Sequence, residues 1–439
     1  MGNNDIIVAK FGGSSLADAN QLKKVKEIIL LDDQRKYVVP SAPGKRNSGD
    51  SKVTDLLYAV KKKALDGEST EQAFDEIRAR FIGMRDELDL SFDIEKHLDI
   101  VEQDILQGAG LDYTASRGEY LNGLILADYL GYEFIDAADV IFFDAKGQLD
   151  LSKTESMMAG RLKHAERAVI PGFYGSGWDG EVNTFSRGGS DITGAIVARA
   201  VSATVYENWT DVSGFMMADP RIVNNPKTID RITYRELREL SYMGASVLHE
   251  DAVFPVSEVH IPINIKNTNE PDHPGTMIVS KVSNSSERII TGIAGKRNFT
   301  VIAIEKNKMN AEVGFGRKVL EALERNEVSF EHMPSGIDTL SLVIADECID
   351  GKLKRVKDDI YRVCEPDLIE EFSGMALVAV VGRGMRHNVG TASRIFSALS
   401  KAKVNVRMID QGSSEINIII GVGNDDFDTA VTAIYNEFN

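Results

Sequence analysis

The chain has 439 residues, 43% hydrophobic and 27% charged, with a formal net charge of −17. That length suffices for about three domains with apolar cores, the acidic balance disfavours nucleic acid or an anionic membrane surface as partner, and no run approaches the roughly 18 apolar residues of a membrane span. Two cysteines, Cys348 and Cys364, rule out a disulfide framework or a four-thiolate zinc site, and the seven histidines are scattered without an HExxH pattern.

The expected location is cytoplasmic, because the N-terminus enters a strand pattern at once, with no basic, apolar or cleavable leader. The run Ile6 to Ala9 predicts a strand that ends on Lys10-Phe11-Gly12-Gly13-Ser14-Ser15, and a helix is expected from Ala19 to Leu31. Paired glycines let backbone N–H groups approach an anion, a helix start adds partial positive charge, and Lys10 adds a full one. A strand over Tyr37 to Ser41 leads into Ser41-Ala42-Pro43-Gly44-Lys45-Arg46, and Thr54-Asp55 opens a helix over Val53 to Leu65. Alone, this basic loop reads as ordinary surface, and its spacing is not that of a Walker A loop. Residues 70 to 107 read as polar and helical, an excursion at the edge of a sheet with no legible function.

The helix expected over Tyr113 to Leu130 carries Ser116-Arg117-Gly118-Glu119 in its early turns, where charges are commonplace. Strands at Val140 to Phe143 and Ala168 to Phe173 precede Phe185-Ser186-Arg187-Gly188-Gly189-Ser190-Asp191, a second glycine loop at a helix start (Ile192 to Val201) with an arginine able to grip a carboxylate. A strand at Ala203 to Glu207 then enters Trp209-Thr210-Asp211-Val212-Ser213-Gly214 and Asp219-Pro220-Arg221, and another is expected at Ile261 to Lys266. The alternation implies an α/β sandwich with a largely parallel sheet.

Polar Ser280 to Arg288 marks a boundary. Beyond it, strands at Val301, Val328, Leu340 and Leu368 with helices at Val313 to Arg325 and Gly351 to Val363 make one βαββαβ unit. A second unit runs from Leu377 through a helix at Val389 to Ala402, strands at Val404 and Ile416, and a helix at Phe427 to Phe438, one strand short. Ile289 to Ala294 is free to supply that strand, since an unpaired edge leaves backbone groups unsatisfied. The expected domains are therefore 1–283, 298–373, and 289–297 joined to 374–439, with the first small unit inserted into the second.

Together the loops suit phosphoryl transfer, which needs positioning and charge neutralisation more than covalent chemistry. KFGGSS at 10 to 15, SRGE at 116 to 119, FSRGGSD at 185 to 191, WTDVSGF at 209 to 215, ADPR at 218 to 221, MGASVLH at 243 to 249 and IPINIKNT at 261 to 268 resemble the aspartate kinases of the amino acid kinase superfamily. The tandem C-terminal units resemble that family's ACT domains. The resemblance implies an amino acid kinase-type α/β/α sandwich followed by two ferredoxin-like ACT domains. It also implies ATP- and Mg²⁺-dependent phosphorylation of the side-chain carboxylate of L-aspartate, the entry to lysine, threonine and methionine, with the metal held mainly through ATP phosphates.

By that resemblance Lys10 neutralises the transferring phosphoryl group, and Gly12, Gly13 and Ser14 contact phosphates. Ser41 and Thr54 line the substrate side, Glu119 holds the substrate ammonium and Arg187 a substrate carboxylate. Ser190 and Asp191 lie near the reacting groups, and Thr210, Asp211, Arg221 and Lys266 hold ATP. The ACT resemblance implies a homodimer through these domains, with a tetramer as the alternative. It places an amino-acid effector at Met309, Gly314, Phe315, Gly316, Glu331, Ser335 and Asp338. Lysine is the expected inhibitor, with threonine, alone or jointly, as the alternative. Met216-Met217 stand where relatives often carry an aromatic residue, Pro43 to Lys52 is long for the family, and His249 precedes Glu250 where proline is frequent. Two rivals remain: a non-catalytic sensor on a kinase scaffold, and a kinase for another acid such as glutamate or acetylglutamate.

Overall fold

The computed structural model describes residues 5–245, 248, 253–282 and 288–439; Ser246, Val247 and His249 of the MGASVLH stretch, Glu250 after it, and much of the polar boundary lie outside the described residues. The chain forms two compact units, one of residues 1–215, 228–238 and 246–284, the other of 216–227, 239–245 and 285–439.

The first unit is built on an eight-stranded sheet in the order β3-β4-β2-β1-β7-β9-β10-β8. Its strands are β1 (Ile7–Phe11), β2 (Arg35–Pro40), β3 (Glu133–Phe134), β4 (Ala168–Val169), β7 (Val205–Thr210), β8 (Arg231–Thr233), β9 (Ile263–Asn267) and β10 (Thr276–Val279), and a hairpin of β5 (Tyr174–Ser176) and β6 (Val182–Thr184) stands apart. All pairings in the large sheet are parallel except β9 with β10. β1 is buried along its whole length, as a central parallel strand covered on both faces must be. The expected strands at Val140 to Phe143 and Ala168 to Phe173 shrink to bridges at Phe142 and Phe143 and to the two residues of β4. Short apolar runs give no periodicity by which to fix their length.

The helices are α1 (Ala19–Leu30), α2 (Val53–Leu65), α3 (Glu71–Glu87), α4 (Ile94–Leu106), α5 (Leu111–Leu130), α6 (Leu151–Leu162), α7 (Gly189–Ala200), α8 (Tyr234–Tyr242) and the short α9 (Phe254–Ser257). Asp18 caps α1 by accepting from the Gln21 N–H at 2.9 Å. The stretch expected to be polar throughout is in fact two amphipathic helices. Phe74, Ile77, Phe81 and Met84 of α3, with Leu98, Val101 and Ile105 of α4, share one core with Val53 and Leu57 of α2 and Leu121 and Ile125 of α5. Each buried phenylalanine contributes about 1.5–3 kcal/mol, so the excursion is a structural wall of this unit. Its apolar stripe was masked by the charged residues that fill the remaining face.

The second unit holds a five-stranded antiparallel sheet, order β12-β11-β13-β15-β14. Its elements are β11 (Gly292–Glu305), α10 (Phe315–Arg325), β12 (Thr339–Ala345), the short α11 (Asp346–Ile349), α12 (Leu353–Cys364), β13 (Leu368–Val381), α13 (Thr391–Lys401), β14 (Met408–Asp410), β15 (Asn417–Gly423) and α14 (Phe427–Phe438). What sequence divides into separate strands at 289, 301, 368 and 377 is two continuous 14-residue strands. Gly292 to Lys296 pairs with Leu377 to Val381, whose other side faces β15, while Phe299 to Glu305 pairs with Leu368 to Met375 and with β12. The register shifts between Lys296 and Phe299, where one ladder passes into the next. Val328 is not in a strand, and the strand expected at Val404 forms later, at β14.

Candidate active site

Register sets the first contact. β1 and β7 run parallel with Lys10 opposite Asn208, so both side chains emerge on one face. α7 begins just beyond, and its first turn carries Asp191. Lys10 Nζ lies 2.5 Å from Asp191 Oδ1 and 3.3 Å from Asn208 Oδ1, and Asn208 Nδ2 donates to Asp191 Oδ1 at 2.9 Å. Tyr206 O–H donates to the Asp191 carbonyl at 3.0 Å, fixing the helix start to the strand. Lys10 is only 7% exposed, so its charge acts in a medium that screens little. Asn208 was missed in the sequence, although a polar residue inside an otherwise buried strand was the available signal.

The glycine turn follows β1. Gly12 N–H donates to the Trp209 carbonyl at 2.9 Å and Gly44 N–H to the Gly13 carbonyl at 2.8 Å, which seats the 41–44 loop on the turn. A side chain is excluded here: a Cβ on Gly44 would lie 2.5 Å from the Gly13 carbonyl carbon. Ser15 and Thr268 hydroxyls meet at 2.7 Å and bind the turn to the end of β9. Ser14 itself is exposed, and Ser41 and Thr54 are half-buried.

On its other side the 41–44 loop meets α5. A Cβ at Gly118 would come 2.8 Å from the Ala42 methyl, so only glycine admits this approach. Asn122 Nδ2 donates to the Ser41 carbonyl at 2.7 Å. Glu119 is buried and its Oε2 has no hydrogen-bond partner. Burial pushes its carboxyl up to about 8, against the opposing pull of the Ala42 N–H, its own N–H and the Arg117 charge. A buried carboxylate oxygen left unpaired costs free energy until a donor arrives. Arg117 is held nearby by the faces of Tyr113, Tyr120 and Tyr174, its guanidinium carbon 4.3, 4.7 and 5.1 Å from the ring centres.

Of the remaining expected residues, Ser190 is buried at the start of α7, and Arg187 is exposed with no ion pair among the described residues. Thr210 Oγ1 donates to Asp211 Oδ1 at 3.1 Å at the end of β7. Lys266 pairs in register with Trp209 and lies over its ring at 5.0 Å, and burial pulls its ammonium below the ordinary lysine range. Trp209 is locked by donation to Glu207 Oε2 at 2.9 Å, and Glu207 in turn pairs with Arg35 at 2.7 Å. Arg221 belongs to the second unit, where it pairs with Asp219 at 2.5 Å, and Met216 is in that unit too. Among the described residues no cluster of three His, Cys, Asp or Glu side chains is set for a metal ion. A cation arriving with phosphates needs only one or two carboxylates, and Asp191 beside Lys10 meets that requirement.

In the second unit the chain around Met309 and the turn at 335–338 are laced together. Lys306 N–H donates to the Asp338 carbonyl at 2.9 Å, Asn310 N–H to the Ile337 carbonyl at 3.1 Å, and Lys308 N–H to Asp338 Oδ1 at 2.8 Å. Ser335 bridges to Leu340. Gly314 precedes α10 in a left-handed conformation, and Phe315 begins the helix with Gly316 second, with no side chain capping them. Glu331 is held by its N–H on the Val343 carbonyl at 2.8 Å, and its carboxylate makes no ion pair among the described residues.

Comparison with known proteins adds independent findings. Residues 5–267 match the amino acid kinase family and residues 378–438 an ACT domain family. Aspartokinase 3 of Bacillus subtilis is 40% identical over 98% of both chains. The crystal structure of Clostridium acetobutylicum aspartate kinase, described as an allosteric enzyme, has 58% identity and a TM-score of 0.95 over 99% of this chain and 100% of that one. Escherichia coli aspartokinase III is 26% identical over 99% of both chains. Its complex with aspartate and ADP (R-state) gives a TM-score of 0.75, and its complex with lysine and aspartate (T-state) 0.74.

Proposed function

The chain belongs to the amino acid kinase family, in its aspartokinase branch, and from that premise we propose that it transfers the γ-phosphoryl group of ATP to the side-chain carboxylate of L-aspartate. The products are 4-phospho-L-aspartate and ADP, and the step opens the route to lysine, threonine and methionine. The observation that carries the reading is the 41–44 loop. It joins the glycine turn after Lys10, through Gly44 and Gly13, to the buried, half-unpaired carboxylate of Glu119, through the Ala42 N–H. One loop thus links a phosphate-type site to a site wanting a cation.

The acceptor carboxylate is ionised at neutral pH, so the reaction needs no general base. A carboxylate oxygen forms a bond to the γ-phosphorus, the bond from that phosphorus to the β,γ-bridging oxygen breaks, and ADP leaves with the electron pair. Two anions must be brought together, and neutralising them is the main task. Lys10 is the cation assigned to the moving phosphoryl group, with Asp191 and Asn208 aiming its ammonium. Gly12, Gly13 and Ser14 offer turn contacts to phosphates. Mg²⁺, held mainly through the ATP phosphates, would supply further charge neutralisation, and Asp191 is the acidic side chain that could assist in holding it. Glu119 takes the substrate ammonium and Arg187 a substrate carboxylate, with Ser41, Thr54 and Ser190 around them. Thr210, Asp211, Arg221 and Lys266 are assigned to the nucleotide.

We assign residues 1–283 to the catalytic domain, 298–373 to a first ACT domain, and 289–297 with 374–439 to a second, which pair in a homodimer in the cytoplasm. Lysine is the proposed feedback inhibitor, on the lysine complex of the E. coli relative and the unpaired Glu331 beside β12. ATP-dependent hydroxamate formation from L-aspartate, run against glutamate and acetylglutamate with and without lysine and threonine, tests the whole reading. Aspartate-selective product suppressed by lysine is expected. Lysine binding without product would leave a sensor and remove the roles given to Lys10 and Asp191.

A further inference from the structure

Arg80 projects from α3, in the stretch to which the sequence assigns no role, and is 5% exposed. Its Nη1 donates to the Ser51 carbonyl at 2.9 Å and lies 3.3 Å from Asp50 Oδ2. Its Nη2 donates to the Ala17 carbonyl at 3.0 Å and also to the Gly44 carbonyl. Asp50 is fastened from the loop side by Arg46, whose Nη2 donates to Oδ1 at 2.8 Å and whose backbone N–H donates to Oδ2 at 2.9 Å. Three carbonyls from three segments therefore converge on one buried guanidinium. Ala17 follows the turn that carries Gly13 and Ser14, Gly44 belongs to the loop seated on that turn, and Ser51 lies just ahead of α2 with Thr54.

A planar cation with a fixed fork of donors holds several acceptors at set angles, which a lysine cannot do. The other ties here are pairwise, Gly44 N–H to the Gly13 carbonyl at 2.8 Å and Val53 N–H to the Pro43 carbonyl at 3.3 Å, whereas Arg80 meets all three segments at once. Between Arg46 and Asp50 the loop is bonded mainly to itself, and its outward residues Lys45 to Gly49 are exposed. A purely structural arginine would serve as well anywhere on the wall. This one sits where the phosphate-side turn and the substrate-side loop touch.

We propose that Arg80 is a positioning residue for phosphoryl transfer, setting the glycine turn and the 41–52 loop in register from the helical wall. The proposal rests on the kinase reading above. Through that loop Arg80 also reaches Glu119, because the Ala42 N–H that favours its ionised form sits two residues before Gly44. Releasing the clamp withdraws that donor as well as loosening the turn.

The test compares Arg80→Met and Arg80→Lys with Arg78→Met in the full chain. Arg78 lies on the same helix with paired Asp99 and Glu102 at 2.8 Å and serves as control for loss of a helix ion pair. Three readouts are taken: hydroxamate kinetics in aspartate and ATP, the pH dependence of kcat/KM for aspartate, and backbone hydrogen exchange. For Arg80→Met the expected result is a fall in kcat and a rise in aspartate KM of at least about tenfold each, the scale of a small misplacement of reacting groups. The acid limb of kcat/KM should move to higher pH, and exchange should quicken at residues 41–53 while β1 and β7 stay protected. Arg80→Lys should recover part of each effect, and Arg78→Met should show none. Unchanged kinetics and pH profile in a folded Arg80→Met protein overturn the proposal. So does faster exchange spread evenly over the first unit, which would make Arg80 merely structural. If the unaltered protein forms no product from aspartate, the kinase reading falls by itself, and local exchange at 41–53 then decides whether Arg80 is a clamp at all.

Discussion

Lys10 Nζ lies 2.5 Å from Asp191 Oδ1, joining the buried central strand β1 to the first turn of α7, with Asn208 bonded to both. The pair holds a cation in one place, at the point where the proposed transfer would occur, before any ligand arrives. Electrostatic help of this kind costs no reorganisation at the moment of reaction.

Lys10→Met should therefore lower kcat by about 10²–10³, the scale of losing a preorganised charge stabiliser. It should also destabilise the fold, because the half-buried Asp191 loses its counter-charge and keeps only the Asn208 donor. Adding Asp191→Asn should restore much of the melting temperature and none of the activity. Denaturation and hydroxamate assays on the single and double variants check this. Recovery of activity in the double variant would show that Lys10 serves the fold alone.

Glu119 carries the pH dependence. Its carboxyl titrates near 8 in the unliganded protein because burial penalises the charge, and a substrate ammonium needs the ionised form. Aspartate binding below that pH must then release a proton, so kcat/KM for aspartate should rise with pH and level off above about 8. Once the ammonium is bound, the pair favours ionisation, and the corresponding limb in kcat should fall at lower pH. Stability runs the other way. The folded chain holds this proton to about 8 while the ordinary glutamate value is 4.5. The contribution is therefore complete below the lower value and lost as pH rises through the higher one. Saturating aspartate should offset that loss. Glu119→Gln should abolish the acid limb of kcat/KM and raise KM; an acid limb that survives in this variant would assign the titration elsewhere.

The glycine turns, the α/β alternation and the placement of most helices were legible from the sequence because each rests on a local signal. The paired glycines after Ile6 to Ala9 and the start of α2 at Val53 are examples. The helix at Phe427 to Phe438 is another. What could not be read depends on contacts distant in the chain. Asn208 looks like an unremarkable polar residue until β1 is brought beside it, and Arg80 until Ala17, Gly44 and Ser51 are, and the α3–α4 wall hides its apolar stripe among charges. Strand ends failed for a different reason: β11 and β13 run on through the join between two ladders, and nothing local distinguishes one long strand from two short ones.

The contact between Gly44 and Gly13 leaves no room for a side chain. Gly44→Ala would put a Cβ 2.5 Å from the Gly13 carbonyl carbon, so the loop and the turn must separate, at a cost of about 1–3 kcal/mol typical of overpacking. Both substrates should bind more weakly, since the turn and the loop are assigned to different ones. Isothermal titration with ADP and with aspartate would show losses in both; a loss confined to ADP would detach the 41–44 loop from the substrate side.

The proposed regulation by lysine turns on Glu331. Its backbone is pinned to Val343 while its carboxylate makes no ion pair among the described residues, and the turn at 335–338 is tied to the chain before Met309 through Asp338. An effector with a side-chain ammonium would gain an ion pair there, and its α-carboxylate would suit the uncapped start of α10 at Phe315 and Gly316. Threonine has no such ammonium. Glu331→Gln should therefore raise the half-inhibitory lysine concentration by about tenfold or more, equivalent to about 1.4 kcal/mol, and leave any threonine response unchanged. Asp338→Asn should weaken lysine inhibition less, because the asparagine Oδ1 can still accept from the Lys308 N–H and hold the turn. Assays of inhibition against each amino acid, with each variant's uninhibited rate as reference, separate the two roles. Equal lysine sensitivity in Glu331→Gln and the unaltered chain would move the effector's ammonium to another carboxylate.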